Sequence, residues 1–334
     1  MDNKLLTIVV PVYKVEPYIN KCLDSLILED EELMSQLEVI IVNDGTPDNS
    51  AEMSREYVKR YPNTFRQIDK KNGGHGSAWN VGLKEATGKY LRFLDSDDWL
   101  SNLAVFMQKI ADCDADVVFT RMNRYYEDTG VSEISPSCVS NDKLMPIAAI
   151  TPHENPHYDI ITNFWYSTYK TALLKPLYPL FLEGVSYDDT ILYIVPLLCG
   201  QNYIAFDLVL YNYLLGREGQ SMSMATQIKK IPDRLKVYGQ MSSFIKQHYT
   251  EEKKEIKWLL DVIMERRRMV LLDLIVNVSP YSKSVDYITE LESMGDMKGM
   301  KVKSNIYNRY KKYPYFVFYR IEKIRRLINS IRSK

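Results

Sequence analysis

Residues 38–50 read EVIIVNDGTPDNS. Four apolar positions, Val39 to Val42, run straight into Asn43-Asp44-Gly45, the pattern of a strand buried on both faces that stops at a turn. The same grammar appears upstream in TIVVPVYKVEPYINKCLDSL (7–26) and downstream in KNGGHGSAWNVGLKEATGKYLRFLDSDDWL (71–100). Strands are expected at Leu6–Pro11, Glu38–Asn43, Phe65–Lys70, Tyr90–Asp95 and Asp116–Arg121. Between them, Tyr18, Ile19, Cys22, Leu23, Leu26 and Ile27 recur with helical spacing, so one face of a crossover helix is apolar. Ser50 to Arg60 and Ser77 to Ala86 read as further helices, each opened by a serine able to cap its first amides. Strand and helix alternating in this way predict a parallel sheet covered by helices.

Working outward, Thr129 to Asn155 is polar and irregular and reads as a loop. A second α/β stretch follows, with strands at Phe164–Lys170 and Tyr203–Leu214 and a helix at Asp188–Leu198. Beyond Gly216 the pattern is helical. The 334 residues contain 46% hydrophobic residues and 14 each of Gly and Pro, which excludes a disordered or collagen-like chain. Such a chain buries roughly 75% of its surface and forms about two domains. The expected division is 1–216, with halves at 1–100 and 101–216, followed by a helical region at 217–334.

Charge is distributed unevenly. The formal sum is zero, from 43 Lys+Arg and 43 Asp+Glu. Residues 301–334, however, hold eleven basic residues against the single acid Glu322, a net of +10, so residues 1–300 carry −10. Four scattered cysteines, Cys22, Cys113, Cys138 and Cys199, lack metal-ligand spacing and read as free thiols in a reducing, cytoplasmic compartment. The first residues lack a cleavage site and read as a strand. No apolar run reaches the roughly 20 residues of a membrane helix.

In an open parallel sheet, ligands bind beyond the carboxyl ends of the strands. Four such ends carry chemistry. Pro11-Val12-Tyr13 with Glu16 leaves a backbone edge and a ring at the sheet top, and reads equally as a strand terminator with a core tyrosine. Asp44 can accept a hydrogen bond from a base or sugar, whereas Asp48 reads as a helix cap. Asn72-Gly73-Gly74-His75-Gly76-Ser77, with Asn80, lets amides approach a phosphate. His75 reads as a phosphate donor or as a solvated bystander. Asp95-Ser96-Asp97-Asp98 crowds three carboxylates, an arrangement that calls for a cation. Hard oxygen ligands suit Mg²⁺ or Mn²⁺.

Together these stretches resemble the family 2 glycosyltransferases with their GT-A, Rossmann-like fold: a mostly parallel sheet flanked by helices, here with a C-terminal helical extension. The likeness covers about residues 5–100 and extends more thinly to SYDDTILYIVPLL at 186–198. It implies a hexosyl- or N-acetylhexosaminyltransferase using a UDP-sugar and Mn²⁺ or Mg²⁺ on a glycan or lipid-linked saccharide. Asp44 then takes the place of the uracil-binding carboxylate, with Pro11 and Tyr13 lining the base pocket. Asp95-Ser96-Asp97 corresponds to the DXD motif, with Asp97 and Asp95 as metal ligands. Asp188-Asp189 corresponds to an acidic pair, usually Glu-Asp, whose second member is the catalytic base. Glu16, Gly74, His75, Asn80, Ser96 and Arg217 complete the expected nucleotide-sugar contacts. Two departures stand out. Trp79 occupies a position where relatives often carry Arg, and Asp188 replaces the usual Glu.

The tail interleaves Tyr307, Tyr310, Tyr313, Tyr315, Phe316, Phe318 and Tyr319 with basic residues. It then places Val317, Ile321, Ile324, Leu327, Ile328 and Ile331 at helical spacing. Two partners fit: an anionic membrane surface at the inner face, or protein, either this domain or a second copy of the chain. Two other functions remain open from sequence. A sugar-phosphate nucleotidyltransferase would carry a Gly-rich basic loop where VYKVEPY stands, and a nucleic-acid-binding protein is opposed by the acidic body.

Overall fold

The structure, a computed structural model, describes residues 4–136, 142–150, 163–216, 224–295 and 305–332. The chain divides into two compact units, residues 1–220 and 221–334.

The first unit is built on one sheet. Strand β1 (Leu6–Val12) and strand β2 (Leu37–Asn43) are buried at every position, as their continuous apolar runs require. They pair in parallel, with Val9 opposite Ile40. Strand β3 (Phe65–Asp69) adds in parallel to β2, and β4 (Tyr90–Phe93) adds in parallel to the other side of β1. The order is β3-β2-β1-β4-β9-β6-β10-β5, where β9 is Ser167–Lys170, β6 Val117–Tyr126, β10 Asn202–Leu215 and β5 Trp99–Leu100. Strand β9 runs antiparallel to both β4 and β6, and β5 antiparallel to β10. The sheet is therefore mixed beyond β4. The parallel reading holds for the first four strands and for the β6/β10 pair.

Helices α1 (Ile19–Asp24), α3 (Ser50–Arg60) and α4 (His75–Glu85) follow β1, β2 and β3. Neither serine caps as expected. The residue before α3 is Asn49, which makes no side-chain cap; Asp48 instead accepts hydrogen bonds from the Ser50 amide (3.2 Å) and hydroxyl (2.6 Å). Helix α4 begins two residues early, at His75, so Ser77 lies inside its first turn. The short helix α2 (Glu31–Gln36), capped by Asp30, was not foreseen. The helix expected at Asp188–Leu198 is split into a 3₁₀ segment, Asp188–Tyr193, and a short α-helix, Val195–Cys199. Pro196 lacks the amide that a continuous helix would need there. Within the polar stretch, Ser132–Ile134 forms strand β7, paired antiparallel to β6, and Met145–Pro146 forms β8 on β10; residues 137–141 and 151–155 fall outside the described residues. Cys22, Cys113 and Cys199 are free thiols, and Cys138 also lies outside the described residues.

The second unit is helical: Met224–Lys229, Ile231–His248, Lys257–Ile275, Tyr281–Ser293, Asn305–Lys312 and Tyr315–Arg332. Its core takes Leu235, Tyr238 and Met241 from one helix, with Leu259, Leu272 and Ile275 from another. The last two helices close on it. Tyr319 Oη donates to the Val278 carbonyl (2.6 Å), Lys323 Nζ to the Asn277 carbonyl (3.0 Å), and buried Glu322 pairs with Arg309. Among the described residues no helix is long and apolar enough to cross a membrane.

Candidate active site

The carboxyl ends of β1, β2, β3 and β4 lie on one edge of the sheet because the four strands are parallel. At the end of β2, Asp44 is 3% exposed. Its carboxylate accepts from Lys70 Nζ (2.6 Å), from the Gly73 amide (2.9 Å) and from the Gly74 amide (2.8 Å). Two amides and an ammonium compensate the buried charge, and in return they shape the glycine turn. Gly74 sits at φ +86°, a conformation a side chain rarely adopts, and leads directly into α4.

The next residue, His75, is the hub. Nδ1 lies 3.1 and 3.2 Å from the two oxygens of Asp188, and Nε2 lies 3.1 Å from Asp95 Oδ1. Burial opposes its charge, but Asp188 and then Asp95 outweigh burial and hold its pKa well above the ordinary histidine value. Its ring packs 4.1 Å from that of Trp79. Trp79 itself is fully buried, stacked on Phe93 at 4.4 Å and edge-on to Phe164 and Phe181. Trp79 is thus an aromatic floor beneath a histidine.

Asn80 and Gly76 bring the segment 180–189 to the same place. Asn80 is 2% exposed; its Nδ2 donates to the Phe181 carbonyl (2.8 Å), and its Oδ1 accepts the amides of Leu180 and Phe181 (both 3.0 Å). Both polar atoms of its side chain are engaged by this loop, so it acts here by positioning. A Cβ on Gly76 would stand 2.3 Å from the Leu182 carbonyl oxygen, and the helix and loop meet this closely only because it is absent. Asp188 is 1% exposed, and Asp189 beside it is half-buried.

The aspartates after β4 divide between two tasks. Ligand atoms of Asp95, Asp97 and Asp98 lie within 4.8 Å of one another. Asp98 is 1% exposed, with Oδ2 accepting from Tyr211 Oη (2.6 Å) and Oδ1 from the Leu214 amide (2.8 Å). Burial, then Asp97 and Asp95, push its pKa well above the usual carboxylate range. The Tyr211 hydroxyl also accepts the Asp95 amide (3.3 Å), tying the turn to β10. Half-buried Asp95 and Asp97 fit a divalent cation: two hard oxygen donors on a turn that Asp98 anchors. Ser96 is buried at 5%.

At the end of β1, Pro11 is buried and Tyr13 is 43% exposed. Glu16 accepts from the Asn49 amide (3.1 Å) and from Asn49 Nδ2 (3.0 Å), while its own amide donates to Asp48 (3.2 Å), so the first two strand ends are clasped. Arg217 lies outside the described residues. Three participants escaped sequence reading: the bridging role of His75, Tyr211, and Arg92 in β4. Arg92 is fully buried, with a pKa pushed down to about 10 by burial, and it donates to Thr168 Oγ1 (2.8 Å) and to the Trp165 carbonyl. The one available signal for Arg92 was a charge inside an otherwise apolar strand.

Residues 7–170 match the family described as Glycosyl transferase family 2. The uncharacterized glycosyltransferase EpsJ of Bacillus subtilis is 47% identical over 98 residues, which cover 29% of this chain and 27% of EpsJ, well short of that relative's whole length. Among solved structures, S. aureus TarS 1-349 superposes with a TM-score of 0.65 at 20% identity, covering 89% of this chain and 81% of that one. That protein has also been solved with UDP-GlcNAc. The mannosyltransferase PcManGT of Pyrobaculum calidifontis, solved with GDP-Man and Mn²⁺, gives a TM-score of 0.52 at 15% identity over 96% of this chain and 87% of that one. The architecture is the GT-A fold, and residues 7–170 form a region that matches glycosyl transferase family 2.

Proposed function

We propose that the chain transfers a sugar from a UDP-sugar to a hydroxyl of a glycan or lipid-linked saccharide, with inversion at the anomeric carbon. One observation carries this reading: Asp95 after β4 and Asp188, the neighbour of Asp189, stand on opposite sides of a single imidazole, His75. Donor-side and acceptor-side groups are thereby held on one rigid hub.

Asp44 and the Gly73-Gly74 turn form the base and phosphate side, with Tyr13 as the exposed ring. Asp44 Oδ2 accepts the Gly74 amide and, as a carboxylate oxygen, has a second lone pair with which to receive a base N–H. Asp97 and Asp95 would hold Mn²⁺ or Mg²⁺, which when bound offsets the negative charge of the departing diphosphate. The base falls to Asp189. Its neighbour Asp188 is 1% exposed and engaged by His75, whereas Asp189 is the more accessible member of the pair. Asp189 accepts the acceptor's hydroxyl proton as the oxygen attacks the anomeric carbon and the bond to UDP breaks. A single displacement needs no enzyme nucleophile, which is why inversion is the expected outcome.

The deciding experiment is a panel of UDP-sugars with Mn²⁺, scored for UDP release, followed by mass and anomeric analysis of the product. Release of UDP with a β-linked product from an α-linked donor supports the reading. Release of pyrophosphate from a nucleoside triphosphate would favour nucleotidyl transfer instead.

A further inference from the structure

The final helix has two apolar sides. One is docked: Phe318 and Tyr319 are buried in the helical unit, and Lys323 and Arg326 bond Asn277 and Asp273. The other faces water. Phe316 is 53% exposed, Ile324 59% and Ile328 43%, at spacings that place them on one side of the helix. Exposed Arg320 and Arg325 stand among them, and no ion pair engages either one among the described residues. Arg325 also borders a cleft of about 370 Å³ with Arg309, Arg326, Glu322 and Asp273, in which Arg309 pairs with Glu322 and Arg326 with Asp273.

We infer that this outer face binds the surface of an anionic phospholipid bilayer, with Phe316, Ile324 and Ile328 entering the headgroup boundary and Arg320 and Arg325 meeting lipid phosphates. Charge complementarity selects this occupant. Residues 301–334 carry +10, and Glu322, their single acid, is turned inward to Arg309, so the outward face is basic and apolar together. A second copy of the chain would carry the same positive charge on the same face and be repelled by it.

The test is flotation of the full chain with vesicles of equimolar phosphatidylglycerol and phosphatidylcholine, against phosphatidylcholine alone. Flotation with the anionic vesicles, reversed by salt, is expected. Arg320→Gln with Arg325→Gln lowers partitioning about 30-fold, at about 1 kcal/mol for each basic residue. Ile324→Ser with Ile328→Ser lowers it about tenfold or more through lost apolar insertion. All four positions are exposed, so circular dichroism and thermal melting should match the parent. Equal flotation on neutral vesicles, or unchanged flotation in both variants, overturns the inference. So does a stable dimer that Ile324→Ser with Ile328→Ser dissociates while neither form binds vesicles.

Discussion

His75 and Asp188 are joined, Nδ1 to carboxylate, at 3.1 Å across 113 residues of sequence. The contact ties the first turn of α4 to the 3₁₀ segment that carries Asp189, and the opposite ring nitrogen reaches Asp95. An asparagine reproduces at most one of these two contacts. His75→Asn is expected to fold and melt like the parent yet lose about 10- to 100-fold in kcat, the usual effect of removing an outer partner of a metal or catalytic ligand. Steady-state kinetics beside thermal melting checks this, and equal kcat would show the bridge to be dispensable.

Asp189→Asn removes a proton acceptor while keeping the side chain's shape. Transfer should fall by about 10² to 10⁴, the range that positioned general bases contribute, with UDP affinity by calorimetry within about twofold of the parent. A parallel loss of UDP binding would move Asp189 out of the base role.

Asp97→Asn and Asp98→Asn should separate. Asp97 is half-buried, and its replacement should raise the Mn²⁺ concentration giving half-maximal activity by about tenfold or more. Asp98 faces Tyr211 and the Leu214 amide, so Asp98→Asn should instead lower stability by about 1–3 kcal/mol in urea unfolding. Reversal of the two phenotypes would exchange the roles assigned here.

Asn80→Ala leaves the Phe181 carbonyl and the amides of Leu180 and Phe181 without their buried partner. A loss of about 2–4 kcal/mol is expected, at roughly 1 kcal/mol or somewhat more for each group left unmade. Limited proteolysis near residue 181 should accelerate in step. Unchanged cleavage there would mean that the loop is held by other contacts.

Strands β1 and β2 were legible because each is a continuous apolar run whose burial needs no knowledge of its neighbours, and Asp44 was legible because it follows such a run directly. Asp97 and Asp98 were not separable by sequence. Consecutive residues point to different sides of the chain, and only the presence of Tyr211, 113 residues after Asp98, makes the inward side polar. His75 resisted for the same reason, since an isolated loop histidine carries no trace of the two carboxylates that will face it. The insertion of antiparallel β9 between β4 and β6 was equally hidden, because the hydrophobic pattern specifies which face of a strand is buried, not which edge it joins.

By itself, then, the sequence determined the parallel β1–β4 core, the strand-end carboxylates, the glycine turn and the +10 tail, all consequences of local periodicity and charge. Tertiary structure alone decided that Trp79 is a floor, that Asn80 and Asp98 hold loops, that His75 links two acidic groups, and that Glu322 turns inward and leaves the final helix with a basic, apolar outer face. Those outcomes depend on desolvation and on partners far along the chain. A buried charge takes whichever counter-charge or amide the fold brings within about 3 Å of it.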